Sequence, residues 1–270
     1  MLKILFWNIN QANIASSVAS IALEYDVDLL LLAEHPFVHT QSFLSELNKT
    51  SFSYGLISNI AGTDRNVYFR SNSNFVKRVE DSLHHTVLYF SLPGSLSFTI
   101  IFVHLISKLH VSAESQYAEL YKLNELILRH ENFVNHRRTL LIGDLNMNPF
   151  ESGLINSATI NAVSSRSIAL KGSRKVLENR YMYFYNPMWN LFGDRVGVPG
   201  TYYSKKSEHV KHFWNIFDQV LLRPDLIQSF RIDSLKIIDS ILSTPLTSKR
   251  GIPLANKFSD HLPIYFELNI

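Results

Sequence analysis

The stretch Leu140-Leu141-Ile142-Gly143-Asp144-Leu145-Asn146-Met147-Asn148-Pro149 decides how the rest of this chain is read. A short apolar run ends in a glycine, a carboxylate and an amide, and then breaks at a proline. The run has the length and composition of a buried strand. Gly143 is expected to let the backbone turn at the strand's end, and Pro149 to stop any continuation. Asp144 and Asn146 should then project from the carboxyl end of a central strand, where layered sheet proteins keep their chemistry. The same residue types also make ordinary turns, so this stretch alone leaves both readings open.

Three other places tip the choice. Ile4-Leu5-Phe6-Trp7-Asn8-Ile9-Asn10 is a strand that runs into amides. Asp28-Leu29-Leu30-Leu31-Leu32-Ala33-Glu34 is an apolar strand that ends in a lone carboxylate. Phe258-Ser259-Asp260-His261-Leu262-Pro263-Ile264 sets an acid beside an imidazole just before a last strand. Each apolar run is punctuated by a side chain fit for metal binding or proton transfer.

The ordered set Trp7-Asn8, Leu32-Ala33-Glu34, Val103-His104-Leu105, Gly143-Asp144-Leu145-Asn146, Phe217-Asp218-Gln219-Val220-Leu221 and Ser259-Asp260-His261 resembles the endonuclease/exonuclease/phosphatase superfamily. The similarity runs from Lys3 to the carboxyl end, and the pattern is that of a bacterial-type member. The resemblance implies an α+β fold, a four-layer α/β/β/α sandwich of two packed mixed sheets flanked by helices. Periodicity alone gives only a mixed, layered protein. Because the motifs span both ends, residues 1–270 are expected to form a single domain.

The resemblance also implies a divalent-metal-dependent phosphodiesterase that hydrolyses its substrate by in-line attack of an activated water. Phosphate ester hydrolysis needs a cation to offset charge, a base for water and donors for the developing negative charge. Glu34 is the hard oxygen ligand for Mg²⁺ or Mn²⁺, with Asp260 beside it and Asn8 offering an amide oxygen or orienting a metal-bound water. Asp144 prepares the water and Asn146 fixes that geometry. His261, held by Asp218, donates to a phosphate oxygen, and His104 is a second phosphate donor or the leaving-group acid. Two departures stand out. The glutamine that usually precedes the metal glutamate is Ala33. The stretch Arg65–Arg70, where pancreatic-type deoxyribonucleases carry a carboxylate for their first histidine, has none, which leaves His104 without a partner and Arg70 free for phosphate.

Composition narrows the class. At 46% hydrophobic the chain can build a sizeable core, and with no cysteine it has neither disulfides nor thiolate chemistry. That fits a reducing compartment. No signal peptide or span-length apolar run is visible, so a cytoplasmic protein without stable membrane insertion is expected. The formal charge of +3 permits an anionic substrate but is far from that of a DNA-coating protein.

The substrate reading rests on the chain after Pro149. Pancreatic-type nucleases and sphingomyelinases generally carry signal peptides and disulfides. Phosphoinositide phosphatases place an arginine after the equivalent of Asp218, where this chain has Gln219. Between Lys171 and Trp214 basic and aromatic residues interleave, and such surfaces stack bases while tracking a backbone. Tyr183, Lys205, Lys206 and Trp214 are the expected substrate contacts, with Arg70. A nucleic acid, DNA more than RNA, is the leading substrate. A small phosphoester or phospholipid headgroup, or a non-catalytic binding module, are the alternatives.

Helices are expected near 11–25, before Asn48 and over 113–132. Strands are expected at Ile4–Asn10, Leu29–Leu32, Tyr54–Ile57, Asn66–Phe69, Val87–Phe90, Ser97–His104, Leu140–Ile142, Phe217–Leu222, Ser234–Ile238 and Ile264–Leu268. The stretch 149–201 reads as less periodic.

Overall fold

The computed structural model describes residues 1–59, 62–70, 73–108, 111–195, 197–206, 209 and 211–270. Leu2–Asn8 (β1) and Leu29–Ala33 (β2) are apolar almost throughout, and strands of that kind need cover on both faces. They pair in parallel, joined by helix Ala15–Glu24 (α1), which packs with Thr40–Leu47 (α2) over one face. Gly55–Ile57 (β3) and Asn66–Phe69 (β4) extend this sheet.

The second sheet begins with Val76–Asp81 (β5), His85–Phe90 (β6) and Phe98–His104 (β7). Helix Ala113–Val134 (α3) then carries the chain to Thr139–Asp144 (β8), parallel to β7. Short strands Ala162–Val163 (β9) and Phe184–Tyr185 (β10) lie at its far edge, and Asp218–Leu222 (β11) fills the place beside β8. Phe230–Ile237 (β12) and Ile264–Leu268 (β13) return to the first sheet. The orders are β12-β13-β1-β2-β4-β3 and β5-β6-β7-β8-β11-β10-β9.

Alternation along each strand sorts the side chains. Ile4 and Phe6 point between the sheets, where Phe6 meets Phe102 edge-on at 5.8 Å, while Leu5 and Trp7 pack under α1. Ile101, Val103 and Leu141 lie under α3. The result is the α/β/β/α sandwich. Among the described residues no helix is long and apolar enough to cross a membrane.

One expectation needs correcting. Gly143 does not turn the chain: β8 continues through Asp144, and Gly143, at φ +144°, is required by a close approach. A Cβ there would sit 1.9 Å from the Val103 carbonyl oxygen. The stretch 149–201, read as less periodic, holds only short elements between turns, among them β9, β10 and a two-stranded ribbon, Ser173–Val176 with Asn179–Met182. Strands of two to four residues are too short to show a period.

Candidate active site

Parallel pairing delivers the carboxyl ends of β1 and β2 to one rim, and those of β7 and β8 to the facing rim. Antiparallel β11 brings its first residue there, so Asp218 stands opposite Asp144, and His104 stands on the other side of it. The turn before β13 adds Asp260 and His261, because Phe6 pairs with Ile264. Left-handed backbone is concentrated at this rim, with Asn10, Gln11, Glu34 and Asn146 all at positive φ. Strain of that kind gathers where side chains must be aimed.

Asn8, fully buried, ties the two sheets together. Its Nδ2 donates to Glu34 Oε1 and to Asp144 Oδ2, each at 3.0 Å. Asp144 Oδ1 accepts from the Asn146 backbone N–H at 2.8 Å, and Asn146 Nδ2 donates to the Leu105 carbonyl. His261 Nδ1 lies 2.8 Å from Asp218 Oδ2, and its Nε2 is 3.8 Å from Asp144 Oδ2.

The electrostatics follow from burial against charge. Burial pulls the His261 pKa down, but the carboxylates of Asp218 and Asp144 outweigh it and raise it to about 10. The two carboxylates favour the charged, imidazolium form of the ring. Burial pushes the Asp144 carboxyl up, the His261 charge pulls it back, and Asp218 pushes it further up. A buried carboxylate with a raised pKa is a stronger base than an exposed one.

His104 has a partner after all. Its Nδ1 is 3.5 Å from Asp64 Oδ2 and its Nε2 is 3.5 Å from Glu34 Oε1. Burial lowers its pKa, but the Asp64 hydrogen bond and the charges of Asp144, Glu34 and Asp64 raise it overall. Asp64 lies one residue before the stretch in which a carboxylate was sought, in a loop whose approach to β7 no sequence spacing reveals.

Other positioning residues were also missed. Trp7 Nε1 donates to the His261 carbonyl at 2.9 Å, and Ser259 Oγ donates to the Asn8 carbonyl while accepting from the His261 N–H. Thr201 Oγ1 accepts from the N–H groups of Phe217 and Asp218. The Tyr202 ring lies 4.8 Å from that of His261. Trp7 and Ser259 belong to the motifs quoted above, and Thr201 and Tyr202 to the stretch Gly200-Thr201-Tyr202-Tyr203, which also resembles proteins of the superfamily.

Does this site suit a divalent cation? Asp260 Oδ1 and Asp218 Oδ1 are buried acceptors without a hydrogen-bond donor, and oxygens left so are what a hard cation takes up. Glu34 supplies a third carboxylate. Asn8 Oδ1 accepts from the Asn10 N–H at 3.0 Å, with the amide nitrogen toward Glu34 and Asp144. Asp144, Asp218 and His261 offer ligand atoms within 4.8 Å of one another. The 2.8 Å contact inside that group, between His261 Nδ1 and Asp218 Oδ2, is a hydrogen bond.

The expected substrate contacts divide. Lys205 and Lys206 are exposed in the loop after Tyr202–Tyr203, the strand that bridges to His261. Trp214 is half-buried on the partner strand, 5.3 Å from Tyr203. Tyr183 is core, only 8% exposed. Arg70 lies at the other end of the first sheet, beside Asp28, to which it donates at 2.6 Å, with Asp26 as its second partner; it is not available to the site.

No family model and no curated protein sequence matches the chain. Solved structures do. An endonuclease/exonuclease/phosphatase family protein from Leptotrichia buccalis aligns over 100% of both chains, at 14% identity and a TM-score of 0.60. D. rerio TDP2, in complex with a single-strand DNA product, aligns over 100% of this chain and 99% of its own, at 17% identity and 0.59. A Bacteroides thetaiotaomicron mannosyl-6-phosphatase aligns over 100% of both, at 12% and 0.58. At such identities the likeness is one of fold, and the fold is that of the endonuclease/exonuclease/phosphatase proteins.

Proposed function

We propose that this chain is a divalent-metal-dependent phosphoester hydrolase whose substrate is a nucleic acid, DNA more than RNA. One observation carries the reading: the Asn8 amide joins Glu34 to Asp144 across the two sheets, beside the Asp218–His261 pair. This puts an acceptor for a proton and a cationic donor 3.8 Å apart at the rim where the two sheets meet.

Asp144 takes the proton of the attacking water at Oδ2 or Oδ1, with Asn146 and Asn8 holding the carboxylate in place. His261 donates from Nε2 to a nonbridging phosphate oxygen, and Asp218 keeps the ring charged and oriented. As the bond from phosphorus to the leaving oxygen breaks opposite the incoming water, His104, held by Asp64, is the second phosphate donor or the acid that gives the leaving oxygen its proton. Mg²⁺ or Mn²⁺ on Glu34 and Asp260 supplies, when bound, the positive charge that offsets the phosphate. The exposed Lys205 and Lys206 and the half-buried Trp214 beside the cleft support a polymeric substrate, as does the DNA product held by the TDP2 structure of the same fold.

The test is cleavage of labelled single-stranded DNA, duplex DNA, RNA and a sugar phosphate with Mg²⁺ or Mn²⁺, with EDTA and Asp144→Asn as controls. Cutting of a polymer that both controls abolish supports the reading. Release of phosphate from the sugar ester alone replaces it with a small-molecule phosphatase, and retention of polymer without cutting replaces it with a binding module.

A further inference from the structure

We propose that Arg65 is a positioning residue for departure of the leaving group: its buried guanidinium fixes the Asp64–His104 pair so that His104 Nε2 meets the leaving oxygen. This inference rests on the hydrolase reading above and commits His104 to the leaving-group side of the reaction.

Arg65 stands between Asp64 and the first residue of β4, and its side chain is fully buried. Taking a guanidinium out of water is costly unless its donors are met, and here they are. Nη1 donates to the Leu83 carbonyl at 2.8 Å, Nη2 to the carbonyls of Ser82 and His85, and Nε to Thr86 Oγ1 at 3.2 Å. Nη1 also lies 3.5 Å from Asp64 Oδ1. Three of these acceptors are backbone carbonyls of the turn that joins β5 to β6. That turn already closes on itself, with the Ser82 N–H on the His85 carbonyl at 2.8 Å. The charge is not needed to close it.

What the turn touches supplies the reason. The His104 N–H donates to the His84 carbonyl at 3.1 Å, and His84 Nδ1, 3.3 Å from the His104 carbonyl oxygen, donates back. One guanidinium thus holds both ends of the pair, Asp64 as its own neighbour and His104 through the turn. The Asp64–His104 contact, at 3.5 Å, is too long to aim the imidazole by itself. Its aim comes from the backbone on either side. The same short segment is tied to the metal side as well: the Asp64 carbonyl accepts from the His35 N–H at 2.8 Å, and Asn66 Nδ2 donates to the His35 carbonyl at 2.9 Å. Arg78, a second buried guanidinium, donates to the Arg65 carbonyl at 2.7 Å.

In the step served, the water oxygen bonds to phosphorus and its proton goes to Asp144. The bond from phosphorus to the leaving oxygen breaks with its electron pair on that oxygen, which takes the proton from His104 Nε2. A leaving group that is stable as an anion needs no such proton.

Steady-state kinetics of Arg65→Lys, which keeps the charge and loses the fork, on DNA and on a p-nitrophenyl ester of thymidine monophosphate test this. On DNA, kcat is expected to fall about tenfold at unchanged KM, and on the nitrophenyl ester by less than about twofold. Adding Arg65→Lys to Asp64→Asn should lower kcat on DNA no further. Should Arg65→Lys fail to fold, Thr86→Val, which removes the acceptor of Nε, should show a smaller loss with the same selectivity. An equal loss on both esters, a loss that multiplies with that of Asp64→Asn, or no loss at all overturns the inference and leaves the hydrolase reading standing. A wild type that cuts no DNA fails the nucleic-acid reading, and this inference with it.

Discussion

Asp64 holds Oδ2 3.5 Å from Nδ1 of His104, as Asp218 holds Oδ2 2.8 Å from Nδ1 of His261. Two carboxylate–imidazole pairs thus flank the Asn8–Glu34–Asp144 bridge. Both carboxylates raise the pKa of their histidine against the pull of burial. The Asp64–His104 pair is half-exposed at Asp64 and looser, which makes it the more easily disturbed.

Asp64→Asn should leave the fold intact and lower kcat by about tenfold to a hundredfold, part of the ~10²–10⁴ that general acid catalysis contributes. Asp64→Glu should recover part of the loss. Steady-state kinetics of both proteins decide this, and an unchanged kcat would remove His104 from the reaction.

Glu34→Ala should shift the metal titration of activity to higher Mg²⁺ or Mn²⁺, since a carboxylate ligand is gone. Calorimetric metal binding should weaken in parallel. Titrations that overlay wild type would place the cation elsewhere.

Replacing Lys205 and Lys206 together with glutamine should weaken DNA binding and flatten its salt dependence. Each lost phosphate contact removes about 0.7–0.9 from the slope of log K against log salt. The slope comes from binding isotherms at several salt concentrations, and an unaltered slope would exclude this loop from the groove.

His35 gives a pH dependence of stability. It is fully buried, with Nδ1 3.0 Å from the Pro36 carbonyl and Nε2 3.0 Å from the Tyr68 hydroxyl, a neutral tautomer's pattern. Burial lowers its pKa from 6.5 to about 4. Between these values the unfolded chain binds the proton and the folded chain does not. Stability is therefore full above pH 6.5 and is lost as pH falls toward 4, by up to about 3 kcal/mol. Urea unfolding across this range should show that loss, and His35→Phe should reduce it; an equal loss in the variant would assign it to other groups.

Much of the fold was legible because long apolar strands are local facts. The runs ending at Asn8, Glu34, His104 and Asp144 announce strands buried on both faces, and a buried strand that ends in a polar side chain announces a site. The short strands of 149–201 were hidden, because two to four residues carry no period. The ribbon tip at Leu177 was equally hidden, since a leucine at positive φ contradicts local preference.

The sequence by itself determined which residue types were available, in what order and at the ends of which strands, since those follow from hydrophobic pattern and turn chemistry. Only the tertiary structure decided which of them meet. Arg70 and Glu34 lie at opposite ends of neighbouring strands, so one joins Asp26 and Asp28 while the other reaches Asn8. Tyr183 went to the core and Asp64 to His104 for the same reason. Direction and register of strand pairing, fixed by packing across the whole sandwich, set which end of each strand faces the cleft.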